Sequence, residues 1–122
     1  MCGHRDLVAW QKAMSLVRDI YRHSENFPKH EVYGLASQLR RAAVSIPSNV
    51  AEGANRNSRR EFHQFVGTAR GSLAEVETQV EIARDLAYVP DQVAKDLLQR
   101  IAELCTRGPA GVFGEQRLAT SI

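Results

Sequence analysis

Six arginines carry the clearest chemical signal in the sequence: Arg40, Arg41, Arg56, Arg59, Arg60 and Arg70. Between residues 38 and 70 they face only Glu52 and Glu61, a local balance of +4. Residues 71–104 hold seven carboxylates against Arg84, Lys95 and Arg100, a balance of −4. The planar guanidinium fork suits bidentate contacts with phosphate or carboxylate, which the compact lysine ammonium does not make. Two readings stay open. One is a phosphate-contact surface of the kind used in sequence-tolerant nucleic-acid binding. The other is pairing with acidic residues of the same or a neighbouring chain, and Arg41 and Arg56 could each be taken up by Glu52. On one copy the patch is modest, but assembly would multiply its field.

Catalytic constellations are scarce. The sequence has no G-x-x-x-x-G-K-[ST] phosphate loop, no G-x-G-x-x-G and no H-E-x-x-H. None of His4, His23, His30 and His63 follows a glutamate at the spacing of a di-iron bundle. Cys105 has only Arg107 as a local cation, and its expected role is structural or incidental. The expectation is a protein that is not an enzyme and carries no cofactor or metal. At 122 residues, 43% hydrophobic and 25% charged, the chain is sized for one folded domain. Its net charge of +2 is too small to argue for nucleic acid by itself. Cys2 and Cys105 cannot build a disulfide framework. With no apolar run long enough for a bilayer and no secretory signal, a cytoplasmic setting is expected.

The elements that must position these residues are helical throughout. Leu7, Trp10, Met14, Val17 and Tyr21 fall on one stripe and predict a first helix over about 6–24, with Asp6 as its N-cap. A second, over about 31–53, points Leu35, Leu39, Ala42, Ile46 and Val50 inward. Pro47 lies inside it and predicts a kink. Gly53, Asn55 and Asn57 supply turn chemistry. Ser58-Arg59-Arg60-Glu61 is a capping box that opens a third helix over about 58–87, with Phe62, Val66, Ala69, Leu73, Val76, Val80, Ala83 and Ala87 as its stripe. A short fourth helix, about 91–104, turns Val93, Leu97, Ile101 and Leu104 inward. Residues 105–122, rich in Gly and Pro, are expected to form an irregular tail. Short connections between four helices predict an all-α, antiparallel up-down-up-down four-helix bundle over residues 1–104. Because the fourth helix is so short, part of the third helix's stripe should lack a partner within the chain. Gly67, Gly71, Ala74 and Thr78 form a second line on that helix. A glycine costs about 1 kcal/mol in a helix interior, so a helix approaching closely, from the bundle or from another subunit, is the expected reason.

The run FPKHEVYGLASQLRRAAVSIPSNVAEGANR, residues 27–56, resembles the four-helix-bundle family encoded within intervening sequences of bacterial 23S rRNA genes. The similarity continues through Ser58, Glu61, Phe62, Phe65, Ala69, Gly71-Ser72-Leu73, Glu75 and Tyr88, and includes Asp6-Leu7 with Trp10. It implies a cytoplasmic bacterial bundle that assembles as a homo-oligomer, a five-membered barrel. The chain is similar also to the accessory proteins of diversity-generating retroelements, which share this fold and bind nucleic acid and a reverse transcriptase through basic surfaces. After Leu104 the sequence departs from the family pattern, whose last helix runs on for several turns. The combined expectation is a non-enzymatic, oligomeric bundle that binds RNA or DNA, structured RNA foremost, through its arginines. The alternative is a structural or protein-interaction scaffold that does not bind nucleic acid.

Overall fold

The computed structural model describes residues 3–106; of the tail expected over 105–122, Cys105 instead ends the last helix, and residues 107–122 lie outside the described residues. Four helices make up the fold: α1 (Val8–Ser24), α2 (Leu35–Ala54), α3 (Arg59–Asp85) and α4 (Asp91–Cys105). A single 3-10 turn, Lys29–Glu31, precedes α2, and no strand occurs among the described residues. Neighbours run antiparallel. Lys12 pairs with Glu103 and Asp19 with Arg100 across α1 and α4, while Ser45 meets Ser72 across α2 and α3. The most extensive packing joins α2 to α3, then α1 to α2. The architecture is the expected all-α four-helix bundle with a short fourth helix.

The stripes expected on α2 and α4 are buried, apart from Val93, whose place Ala94 takes. Of the stripe expected on α1, only Leu7 is buried, with Trp10 and Val17 half-buried against the core. Its core face is Ala9, Ala13, Leu16 and Ile20, each one residue earlier than the expected Trp10, Met14, Val17 and Tyr21. One residue is a rotation of about 100°. Periodicity weights Trp and Met above Ala, yet the two alanines let α1 lie close to the bundle axis while Leu16 and Ile20 fill it. The larger side chains are displaced to the flank facing α2. Nor does Asp6 cap this helix: Leu7 is the N-cap and no side chain caps it.

Helix α3 spans 27 residues and α4 only 15, or about 40 Å against about 22 Å. Even so, Phe62 and Val66 at the unmatched end of α3 are each only 3% exposed, so the stripe is not left bare. Gly53 is part of the reason. It lies buried inside α2 rather than in a turn, and a Cβ there would sit 2.9 Å from Phe65 Cβ and 3.3 Å from the Phe62 carbonyl oxygen. Its missing side chain lets the end of α2 cover the start of α3. Pro47 is buried and α2 runs through it unbroken. Ser58 Oγ accepts from the Glu61 amide at 3.1 Å, the first half of the expected capping box. The Glu61 carboxylate returns to the Ser58 hydroxyl, not to its amide.

The opposite pole is held by one carboxylate. Glu31 accepts from the Leu35 amide at 3.0 Å and from the Tyr88 hydroxyl at 2.9 Å, joining the start of α2 to the turn between α3 and α4. Glu31 therefore displaces the expected start of α2 to Leu35, because its side chain caps the helix from outside. That turn is a Schellman motif: the Tyr88 amide donates to the Ala83 carbonyl at 2.8 Å and the Ala87 amide to that of Arg84 at 2.9 Å. Ala87, placed on the sequence stripe, instead holds the left-handed position at φ 59°.

Three outcomes follow for stability. Gly53→Ala should destabilise by about 1–2 kcal/mol in denaturant titration, because the clash outweighs the usual helix gain. Ala87→Gly should stabilise by about 1 kcal/mol, relieving a left-handed alanine. The Leu35 amide, then the Tyr88 hydroxyl, hold the Glu31 carboxyl below its ordinary value of 4.5. A lowered carboxyl contributes stability above that value and loses it as pH falls through the folded pKa. Melting temperature should therefore drop below about pH 4.5 more steeply in the native chain than in Glu31→Gln.

Candidate nucleic-acid interface

The bundle sends the six arginines to different places instead of gathering them at one pole. The pole where α2 ends and α3 begins holds Arg56, Arg59 and Arg60. Arg41 lies fourteen residues before Asn55, about 21 Å up α2. Arg70 is half-buried, eleven residues along α3 from Arg59. The two pairs of adjacent arginines lie at opposite poles because each sits near the N-terminal end of its helix and the two helices run antiparallel.

Two of the six serve the fold. Arg40 Nε donates to Ser24 Oγ at 2.7 Å, its terminal nitrogen donates to the Tyr21 carbonyl at 3.3 Å, and its guanidinium stands 4.9 Å from the Tyr21 ring. A cation on the last carbonyls of α1 is favoured by the helix dipole. Arg40 is thus a C-terminal clamp on α1, not a free phosphate contact. Arg56 lies 4.9 Å from the Phe65 ring and pairs with Glu52 at 3.3 Å and Glu61 at 4.0 Å. Capture by Glu52 is realised for Arg56 but not for Arg41.

Arg41, Arg59 and Arg60 are exposed and form no ion pair with any described residue. Arg59 and Arg60 occupy the first turn of α3, where the dipole presents its positive end. Each cation there costs rather than adds stability, by about 0.3–1 kcal/mol. Helix formation does not account for them.

The same pole gains groups that sequence spacing missed, since they arrive from the N-terminal segment. Asn55 accepts from the Gly3 amide at 3.1 Å and lies 3.1 Å from His4 Nδ1, which brings Arg5 alongside. Arg5 stands 5.8 Å from the Trp10 ring, and His4 meets that ring edge-on at 4.9 Å. Exposed His63 follows Phe62 on α3. Arg5, Arg56, Arg59 and Arg60 against Asp6, Glu52 and Glu61 leave an excess of one positive charge per copy. The signal that could have found Arg5 is the asparagine after α2, a residue type that ties chain ends through side-chain hydrogen bonds.

Gly67, Gly71, Ala74 and Thr78 are all exposed, and a Cβ on either glycine would meet nothing within 4 Å. No helix among the described residues approaches this line. Among the described residues, no group of three or more His, Cys, Asp or Glu could hold a metal ion, and no helix is long and apolar enough to cross a membrane.

No curated protein matches the chain in sequence. The family model described as 23S rRNA-intervening sequence protein matches residues 5–107, which takes in all four helices. The long α2–α3 pair, the proline-bearing SIPSN turn of α2 and the capped start of α3 all fall within that span, and the chain belongs to the 23S rRNA-intervening sequence protein family.

Proposed function

We propose that this chain is a non-enzymatic, self-assembling helical bundle that binds structured RNA, with Arg59 and Arg60 as its principal phosphate contacts. The observation that carries this reading is a pair of exposed, unpaired guanidinium groups held in the first turn of a helix against its dipole. His63 follows them one turn along α3, and Arg5 belongs to the segment that Gly3 and His4 tie to Asn55, while Arg56 is neutralised by its two carboxylates. One copy offers too little positive charge for tight binding, so the reading needs several copies side by side. The five-membered barrel implied by the sequence resemblance would supply ten such groups.

A second reading, a scaffold that does not bind nucleic acid, is favoured by the near balance of charge at the pole and by the internal partners of Arg40 and Arg56. Elution from an immobilised RNA column across a salt gradient separates the two. Arg59→Ala with Arg60→Ala should elute earlier and flatten the dependence of log affinity on log salt by about 1–2 for each copy in contact. Sedimentation of that variant should match the native chain. Arg40→Ala should lower the melting temperature yet keep the native salt dependence. Unchanged elution of the double variant would sink the RNA reading; loss of the oligomer would assign the arginines to subunit contacts.

A further inference from the structure

The residues displaced from the core of α1 form a surface of their own. Trp10, Met14 and Val17 line a groove with Val44, Pro47 and Ala51 of α2. Val44 and Tyr21, each about 40% exposed, extend its apolar character. Trp10 and Val17 pack against the core with only part of their surface, and a contiguous apolar patch left partly open marks an interaction site. By helical spacing, Arg18 lies one turn beyond Met14 and Arg41 lies three residues before Val44, along the rim. Neither has an ion-pair partner among the described residues.

A complementary surface lies on another side of the bundle. The outer face of α3 is flat, built from Gly67, Gly71, Ala74 and Thr78, with exposed Ile82 continuing it. On this face stand Glu75 and Asp85, exposed and without an ion pair among the described residues. One face is apolar, ridged by large side chains and rimmed with unpaired cations. The other is smooth, open to close backbone approach and bears unpaired carboxylates. Neither matches itself in charge, so two like faces do not pair. Opposite faces do.

We infer that the α1–α2 groove of one copy seats the outer face of α3 of a second copy, a head-to-tail contact between unlike faces. The inference rests on the reading of the chain as self-assembling and adds which faces meet. Unlike faces leave one groove and one α3 face unfilled on every dimer, so addition continues until the assembly closes into a ring. The glycines then have a purpose that the single chain does not provide.

Val44→Glu spoils the groove, and Gly71→Gln blocks the α3 face at a position with open space around it, so both variants should keep the native helical content. In sedimentation the native chain should run as an oligomer and each variant as a monomer. Mixing the two should restore a dimer and nothing larger, because each variant keeps the face the other has lost. A monomeric native chain would overturn both this contact and the self-assembly reading. Oligomers in both variants would overturn this contact alone, as would a mixture that stays monomeric. Loss of RNA retention in Val44→Glu with the native oligomer intact would instead assign the groove to nucleic acid, and the inference would fall.

Discussion

Close approach of α2 to α3 is the constraint on which the other placements depend. It is won by small groups at the seam: Gly53 beneath Phe62 and Phe65, and alanines at 42 and 43 among the larger Leu39, Ile46 and Val50. With this pair in contact along most of its length, α1 and α4 need only close the remaining two sides. Both are short and both have alanines on their inner faces, Ala9 and Ala13 on one and Ala94 on the other. A bundle built in this way has a narrow core, and bulky apolar residues beyond its capacity are pushed to the flanks. Trp10 is the plainest example.

The helices, their order and the inner faces of α2, α3 and α4 are legible in the sequence because apolar spacing and burial coincide there. On α1 they part company. Two apolar stripes lie side by side on it, and spacing alone cannot tell which of them is enclosed. Gly53 misleads for a related reason: a glycine shortly before two asparagines suits a turn, and only the neighbouring helix shows that the missing side chain is what matters. The role of Glu31 was equally hidden, since its partner Tyr88 lies fifty-seven residues away. The candidate site was legible as a set of residue types but not as a location. Residues adjacent in sequence, such as Arg40 and Arg41, take opposite roles because a step of one residue turns one toward α1 and the other to solvent.

Electrostatics separate arginines that hold the fold from arginines that do not. Arg56 is fixed by an aromatic face and two carboxylates, and Arg40 by a hydroxyl, a carbonyl and a ring. Such multiply held guanidinium groups give up partners on leaving. Arg59 and Arg60 have none to give up, and they oppose the dipole of the helix that carries them. Groups with that profile respond to an incoming anion without first breaking an internal contact.

The seam between α2 and α3 also contains polar atoms. Ser72 Oγ and Ser45 Oγ lie 2.8 Å apart, and the Asn49 amide group donates to the Ser45 carbonyl at 2.8 Å and to its hydroxyl at 2.9 Å. Around them the contacting surface is hydrocarbon, which tolerates slippage because one methyl resembles another. Sliding α2 along α3 by a turn, about 5.4 Å, would strand these hydroxyls against aliphatic neighbours. The trio therefore acts as a vernier, penalising mis-threaded alignments more than it strengthens the correct one. Replacing it with alanines would leave a chain that still collapses into four rods yet no longer settles on a single alignment of them.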